Sequence, residues 1–176
     1  MKKAMFVMIV LVIGLISACG RVRVQHQEIE QDIVLVEQHL NYAWGYQNYG
    51  KIIDGAGNSH EFDFSNEERD FSEEEFLLKL IEAREKSEGG KPLFKPEEIK
   101  EMYELLYKVD EKKGFDRRME AVDYGKVTLY GLRYRKDEGL ELVKLHAYGD
   151  YLEEAQDRSA RALYRIYDKV VKSPEV

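Results

Sequence analysis

Cysteine is nearly absent from this 176-residue chain: Cys19 stands alone, so the chain has no second thiol for an internal disulfide. Several chemical signatures are missing as well. No CxxC pair and no HExxH helix occurs, which removes the familiar zinc patterns. No G-x-S-x-G elbow occurs, which removes the α/β-hydrolase nucleophile motif. Histidine is scarce: His26, His39, His60 and His146 are widely spaced, and none pairs with another at metal-ligand spacing. Positive charge is in deficit, with 27 Lys and Arg against 34 Asp and Glu for a formal net charge of −7. A nucleic-acid partner is excluded on that ground, because phosphate binding needs clustered cations. The same balance argues against a domain lying flat on an anionic membrane. No long Gly/Ser linker divides the chain, so one domain is expected.

What is present begins with Lys2-Lys3 and the apolar run Ala4 to Ser17. A spanning helix needs about 20 apolar residues, and this run is shorter. Its length and basic flank fit a secretory signal peptide. The end of the run, Ile16-Ser17-Ala18-Cys19, resembles the lipobox of bacterial lipoproteins: an aliphatic residue, two small residues and a cysteine. The resemblance covers residues 1–20 only. It implies cleavage before Cys19, removal of residues 1–18 and a covalent diacylglycerol on the Cys19 thiol. The mature chain would then be lipid-anchored at the extracytoplasmic face of a bacterial membrane. Two acyl chains suffice for stable anchoring, at about 0.8 kcal/mol per buried methylene. Lipidation also accounts for an otherwise odd single cysteine in an exported chain. In Gram-negative lipoproteins an Asp after the cysteine marks retention in the inner membrane; Gly20 stands there, and the envelope type stays open.

Residues 19–31 read as the lipidated N-terminus and a short tether, in which Arg21 and Arg23 are solvated. Residues 32–172 read as a single α+β domain, and 173–176 as a disordered tail after Pro174. About 158 residues remain after cleavage, enough for a packed core. The 11% aromatic content argues against disorder, and packing alone must stabilise the fold.

The domain reads as an antiparallel sheet of two β-hairpins with about three helices on one side. Ile29, Ile33, Val36 and Leu40 have helical spacing, but Ile33-Val34-Leu35-Val36 suits a buried strand, and a strand is expected. Tyr42, Trp44 and Tyr46 alternate as on a strand that continues to Ile53. Asp54-Gly55-Ala56-Gly57 is a turn, and His60, Phe62 and Phe64 alternate on the return strand. A four-residue loop would set Ile53 opposite Asn58 and Tyr49 opposite Phe62; a bulge at Gly45 or Gly50 would change which aromatics share a face. Ser72 with Glu75 forms a capping box, flanked by Phe71 and Phe76, for a helix ending at Gly89-Gly90. Pro96 opens a second helix with a stripe of Ile99, Met102, Tyr103, Leu106 and Val109, expected to form a hairpin with the first. Lys126–Arg135 and Leu140–Tyr148 make the second β-hairpin. A last helix runs from about Asp157 to Lys172.

Candidate sites follow from residue type. His60-Glu61-x-Asp63 is the densest group of ligand-type residues. On a strand His60 faces away from Glu61 and Asp63, and two carboxylates on one face suit a hard cation; the competing reading is a wet polar face, so no metal is assigned. Asp54–Asn58 has the look of a calcium loop but places Ala56 and Ser65 where ligands belong. His146 precedes a chain break at Gly149-Asp150 and is the other candidate for acid–base work. Tyr42, Trp44, Tyr46 and Tyr49, with Tyr130 and Tyr134, suit either a sheet core or a ligand-binding surface. No cofactor beyond the diacylglycerol is implied.

The expectation is a non-catalytic, lipid-anchored binding or accessory domain for a protein, peptide or wall polymer. A small envelope hydrolase or metal-dependent enzyme built on His60, Glu61, Asp63 or His146 is the rival. An immunity- or inhibitor-type lipoprotein acting on a membrane partner is the third reading. The anchor is directly testable: Cys19→Ala should move the protein from the alkali-washed membrane fraction to the soluble one, and full retention in membranes would refute lipidation.

Overall fold

The computed structural model describes residues 32–43, 45–67, 70–135 and 139–172. The leader (1–18), Cys19, the tether (19–31), Trp44 and the tail (173–176) lie outside the described residues. The fold is a single-domain α+β arrangement, as the patterning predicts. Its sheet is larger than two hairpins: eight antiparallel strands in the order β4-β3-β2-β1-β6-β7-β8-β5.

The strands are β1 (Ile33–Asn41), β2 (Gln47–Asp54), β3 (Asn58–Asp63), β4 (Lys91–Pro92), β5 (Phe115–Met119), β6 (Lys126–Arg135), β7 (Gly139–Gly149) and β8 (Tyr151–Ala155). The helices are α1 (Glu73–Lys86), α2 (Pro96–Leu106) and α3 (Arg158–Val171). The strand reading of Ile33 to Val36 holds, and β1 occupies the middle of the sheet. A bulge between Ile33 and Leu35 turns Val34 and Leu35 to one face and leaves Ile33 and Val36 on the other.

Both faces of this central region are covered. Ile33, Val36, Ile52, Phe62 and Leu132 pack with Phe76 and Leu80 of α1. Val34, Leu35, Ile53, Leu129, Val143 and Leu145 pack with Ile99, Met102 and Leu106 of α2 and Leu163 and Tyr167 of α3. Consecutive residues Ile52 and Ile53 enter different clusters, as the period of a strand requires. The helices therefore divide between the faces: α2 and α3 share one, while α1 takes the other. The expected α1–α2 hairpin is not formed. The segment 87–95 crosses the sheet edge as β4, and α2 packs on α3 instead.

Local chemistry accounts for the element ends. Ser72 caps α1 and forms the capping box with Glu75. Phe71 and Phe76 meet through the ring of Phe64. Asp157 caps α3 by accepting from the amides of Ser159 and Ala160. Buried Arg133 reaches the carbonyls of Leu106 and Val109 at the end of α2, and pairs with Glu111 and Glu141. That end falls at Leu106, so Val109 is buried from a turn outside the helix.

Two expectations about the first hairpin are corrected. Tyr42, Ala43, Gly45 and Tyr46 lie between β1 and β2 and belong to neither strand: the Asn41 side chain accepts from the Ala43 amide, and Gly45 adopts φ 98°. At the other end the loop is one residue tighter than expected. Ile53 opposes Ser59, Tyr49 opposes Asp63 and Gly50 opposes Phe62. Gly57 at φ 88° closes this three-residue loop. Strands β5 and β8 had no sequence counterpart. The sheet's edges are the two-residue β4 and β5, which carries Asp116, Arg117 and Arg118.

Gly131 of β6 lies under α2, where a Cβ would come 2.3 Å from Leu106 Cδ1. Gly131→Ala should cost about 1–3 kcal/mol by overpacking. Adding Leu106→Val should recover part of that loss in denaturant unfolding; strictly additive costs would show that α2 does not press on the sheet there.

Candidate functional site

His60 faces the α1 side of the sheet and is 3% exposed. Its Nε2 lies 2.9 Å from Asp54 Oδ2, and its Nδ1 lies 2.9 Å from Ser87 Oγ. A serine–histidine–aspartate chain thus joins the β2–β3 turn to the end of α1. Sequence reading singled out His60 but not Ser87, which lies 27 residues away. The geometry is that of a strut. The Asp54 carboxylate also accepts from the Ala56 and Asn58 amides, the Asn58 side chain and Arg84. Burial raises the Asp54 carboxyl, but the bonds from His60, Asn58 and Ala56 outweigh it and hold the group below the usual carboxylate range. Ser87 is the C-cap of α1, at the negative end of the helix dipole, which opposes an oxyanion. Gly90 closes over the imidazole so tightly that a Cβ would come 2.6 Å from Nε2.

Glu61 and Asp63 lie on the other face of β3, opposite Lys51 and Tyr49. They do not join His60. Among the described residues no group of three or more His, Cys, Asp or Glu is placed to hold a metal ion.

The candidate aromatics do not form one surface. Tyr42 is exposed between β1 and β2, donates to Asp70 and tilts against Tyr46. Tyr46 accepts from Asn48. Tyr130 packs into the α1 cluster as core. Tyr134 is exposed near the end of β6, where its carbonyl accepts from Tyr107. Among the described candidates only Tyr49 reaches the face carrying Glu61 and Asp63, stacked on His39 with ring centroids 4.9 Å apart.

That face carries the strongest candidate site. Strand pairing lines up Glu61, Lys51, Glu37, Leu129 and His146 in one cross-strand row, and Asp63, Tyr49, His39, Val127 and Tyr148 in the next. A β-bulge in β7, where Leu129 and Tyr130 are opposed by His146 and Lys144, turns both Leu145 and His146 toward α3. The C-terminal half of α3 roofs part of these rows and leaves a cavity of about 320 Å³. Its walls are Glu37, Val127, Leu129, His146, Tyr148, Leu152, Tyr164, Tyr167, Asp168, Val171 and Lys172. Glu37 also lines a more open groove of about 600 Å³ that runs over His39, Tyr49, Lys51, Glu61 and Asp63.

The polar groups of the cavity are ordered by one another. Tyr167 donates to Glu37 Oε2 at 2.7 Å, a bond that ties α3 to β1. The other Glu37 oxygen lies 3.1 Å from His39 Nε2. Tyr164 donates to Asp168 at 3.3 Å, and Lys172 pairs with the same carboxylate at 2.7 Å. His146 stacks on Tyr164 with centroids 3.7 Å apart and tilts against Tyr148. It is 6% exposed, and among the described residues no hydrogen bond reaches its ring nitrogens.

Comparison with protein-family models, curated proteins and solved structures finds no match to this chain. The chemistry of the site therefore rests on its own geometry. Burial raises the Glu37 carboxyl, but the bonds from His39 and Tyr167 and the charges of His39 and Lys51 bring it below its usual range. Burial, then the charges of Glu37 and Asp168 respectively, raises the phenols of Tyr167 and Tyr164. The result is an aromatic cavity with a fixed anion and a neutral imidazole. Its size falls at the low end of ligand pockets, which run from about 300 to 1,000 Å³.

Burial lowers the His146 imidazole below its usual value of 6.5. The unfolded chain then takes up this proton first as pH falls, so the stability contributed by neutral His146 is full above about pH 6.5 and is lost below it. His146→Phe should flatten the decline in thermal midpoint between about pH 7 and pH 5.5. An unchanged decline would mean that the imidazole protonates freely in the fold.

Proposed function

We propose that the protein is a lipid-anchored extracytoplasmic binding domain, held by diacylglycerol at Cys19 and without catalysis of its own. Its ligand, a protein, peptide or wall polymer, seats a group in the cavity beneath α3 and continues along the groove past Tyr49. The observation that carries this reading is His146: a nine-tenths-buried ring whose nitrogens have no hydrogen-bond partner among the described residues, in the wall of a cavity. Its nitrogens are not among the fully buried polar atoms, so they open onto the cavity, where a ligand atom can meet them. Tyr148 and Tyr49 supply aromatic surface around that cavity and its groove, as binding surfaces commonly do.

A second reading, a small envelope hydrolase, draws on the chain Ser87–His60–Asp54. The donors crowded on Asp54, the burial of His60 and the helix C-terminus beneath Ser87 count against it.

One experiment separates them. Envelope components captured by the wild type should be lost with Tyr148→Ala, a half-exposed residue whose truncation leaves the core intact, and kept with Ser87→Ala. Capture unaffected by Tyr148→Ala would remove the cavity from the function. A hydrolytic activity abolished by Ser87→Ala in a folded protein would install the second reading.

A further inference from the structure

Two carboxylates, Glu37 and Asp168, stand in the wall of the cavity beneath α3, and two of its phenols have committed their protons to them; the Tyr148 hydroxyl, the N–H of a neutral His146 and the Lys172 ammonium keep donors. Tyr167 spends its proton on Glu37, and Tyr164 spends its proton on Asp168. Each phenol oxygen keeps lone pairs. The Glu37 and Asp168 carboxylates only accept, and a neutral imidazole offers one acceptor nitrogen. The raised phenols show the sign of the local field: after burial, Glu37 and Asp168 both raise Tyr148, Asp168 raises Tyr164 and Glu37 raises Tyr167. Around these acceptors stand the faces of Tyr148 and Tyr164 and the aliphatic surface of Val127, Leu129, Leu152 and Val171.

The two carboxylates select against an anion. They also leave a neutral alcohol with less to gain than a cation, which interacts with both carboxylates and with the ring faces. Two cations stand near. Lys172 holds Asp168 from a side chain that is 73% exposed, and Lys51 lies beside Glu37 on the open sheet. Lys172 sits at the end of α3 and is free to swing away, so a bound cation replaces it on Asp168 without leaving a buried charge unpaired.

We infer that the cavity recognises an organic cation, a primary ammonium or guanidinium on a short apolar stem, with Glu37 and Asp168 as its counter-charges and His146 accepting one of its hydrogens. The stem lies against Leu129 and Leu152, and Tyr148 stands at the cation's flank. The inference rests on the cavity being a ligand site at all. The same head group occurs on a free amine and on a lysine side chain of a peptide, and the stem leads out toward the groove over Tyr49.

The test uses the full chain in non-ionic detergent, titrated with butylammonium, Nα-acetyl-lysinamide, butanol and butyrate. Calorimetry gives the affinities, and the imidazole proton signals, with His146 assigned through His146→Phe, report the place of binding. The two cations should bind at about millimolar strength and shift the His146 signals, and butanol and butyrate should do neither. Glu37→Gln, which keeps an acceptor for Tyr167, should weaken cation binding about tenfold or more, as should Asp168→Asn in the cavity wall. Tighter binding of the lysinamide than of butylammonium identifies a peptide side chain as the source; equal binding identifies a free amine. Butanol or butyrate shifting His146 as strongly as the cations would overturn the cation assignment while leaving the cavity a ligand site. No His146 shift with any of the four would overturn both.

Discussion

A strand buried on both faces has to find apolar partners in two directions, and β1 imposes that demand on the whole molecule. Ile33 to Val36 are buried whichever way they point, helped by a bulge that sends Val34 and Leu35 together to one side. One face recruits α1 and the other recruits α2 and α3. Neighbouring strands inherit the requirement, which is why Ile52 and Ile53 are both buried. The demand ends where the apolar run ends. At Glu37 the strand becomes polar, α3 reaches it through the Tyr167 phenol, and the cover stops. The cavity and groove begin at that limit, so the site is placed by the length of the apolar run in β1.

Much of this was legible along the chain. The capping box at Ser72 and Glu75, Pro96 at the first position of α2, Asp157 before α3 and the β6–β7 alternation each rest on interactions within a few residues. The class followed from them. Failures came where a single residue set the geometry. Tyr42 and Tyr46 fall outside the strands, beside Gly45, whose positive φ is a conformation that glycine permits and a strand does not use. The side of the sheet taken by α1 could not be read locally, since its stripe of Phe76 and Leu80 suits either face. Strand β5 is short and highly charged, and it forms because β8 lies beside it, not because of its own pattern.

The site was half visible for the same reason. His146 stood out because a break in the chain follows it. The groups that share its cavity, Glu37, Tyr164 and Asp168, had no signal: Glu37 lies in an ordinary strand position, and Tyr164 and Asp168 are spaced as any helix face would be. The contact that defines the cavity joins residues 130 positions apart. His60 misled in the opposite direction. It faces away from Glu61 and Asp63, as strand alternation requires, but binds a third carboxylate, Asp54, in the role of a buried strut.

The two ends of the sheet carry a further consequence. One edge is only the two residues of β4, one of them Pro92, and the other is β5, where Asp116, Arg117 and Arg118 are exposed. Proline withholds an amide, and exposed charged side chains on an edge strand disfavour the addition of another strand. Neither edge therefore offers a long, uncharged strand for another chain to zip onto. An eight-stranded sheet can be crowded without seeding fibrils, provided those few residues stay as they are.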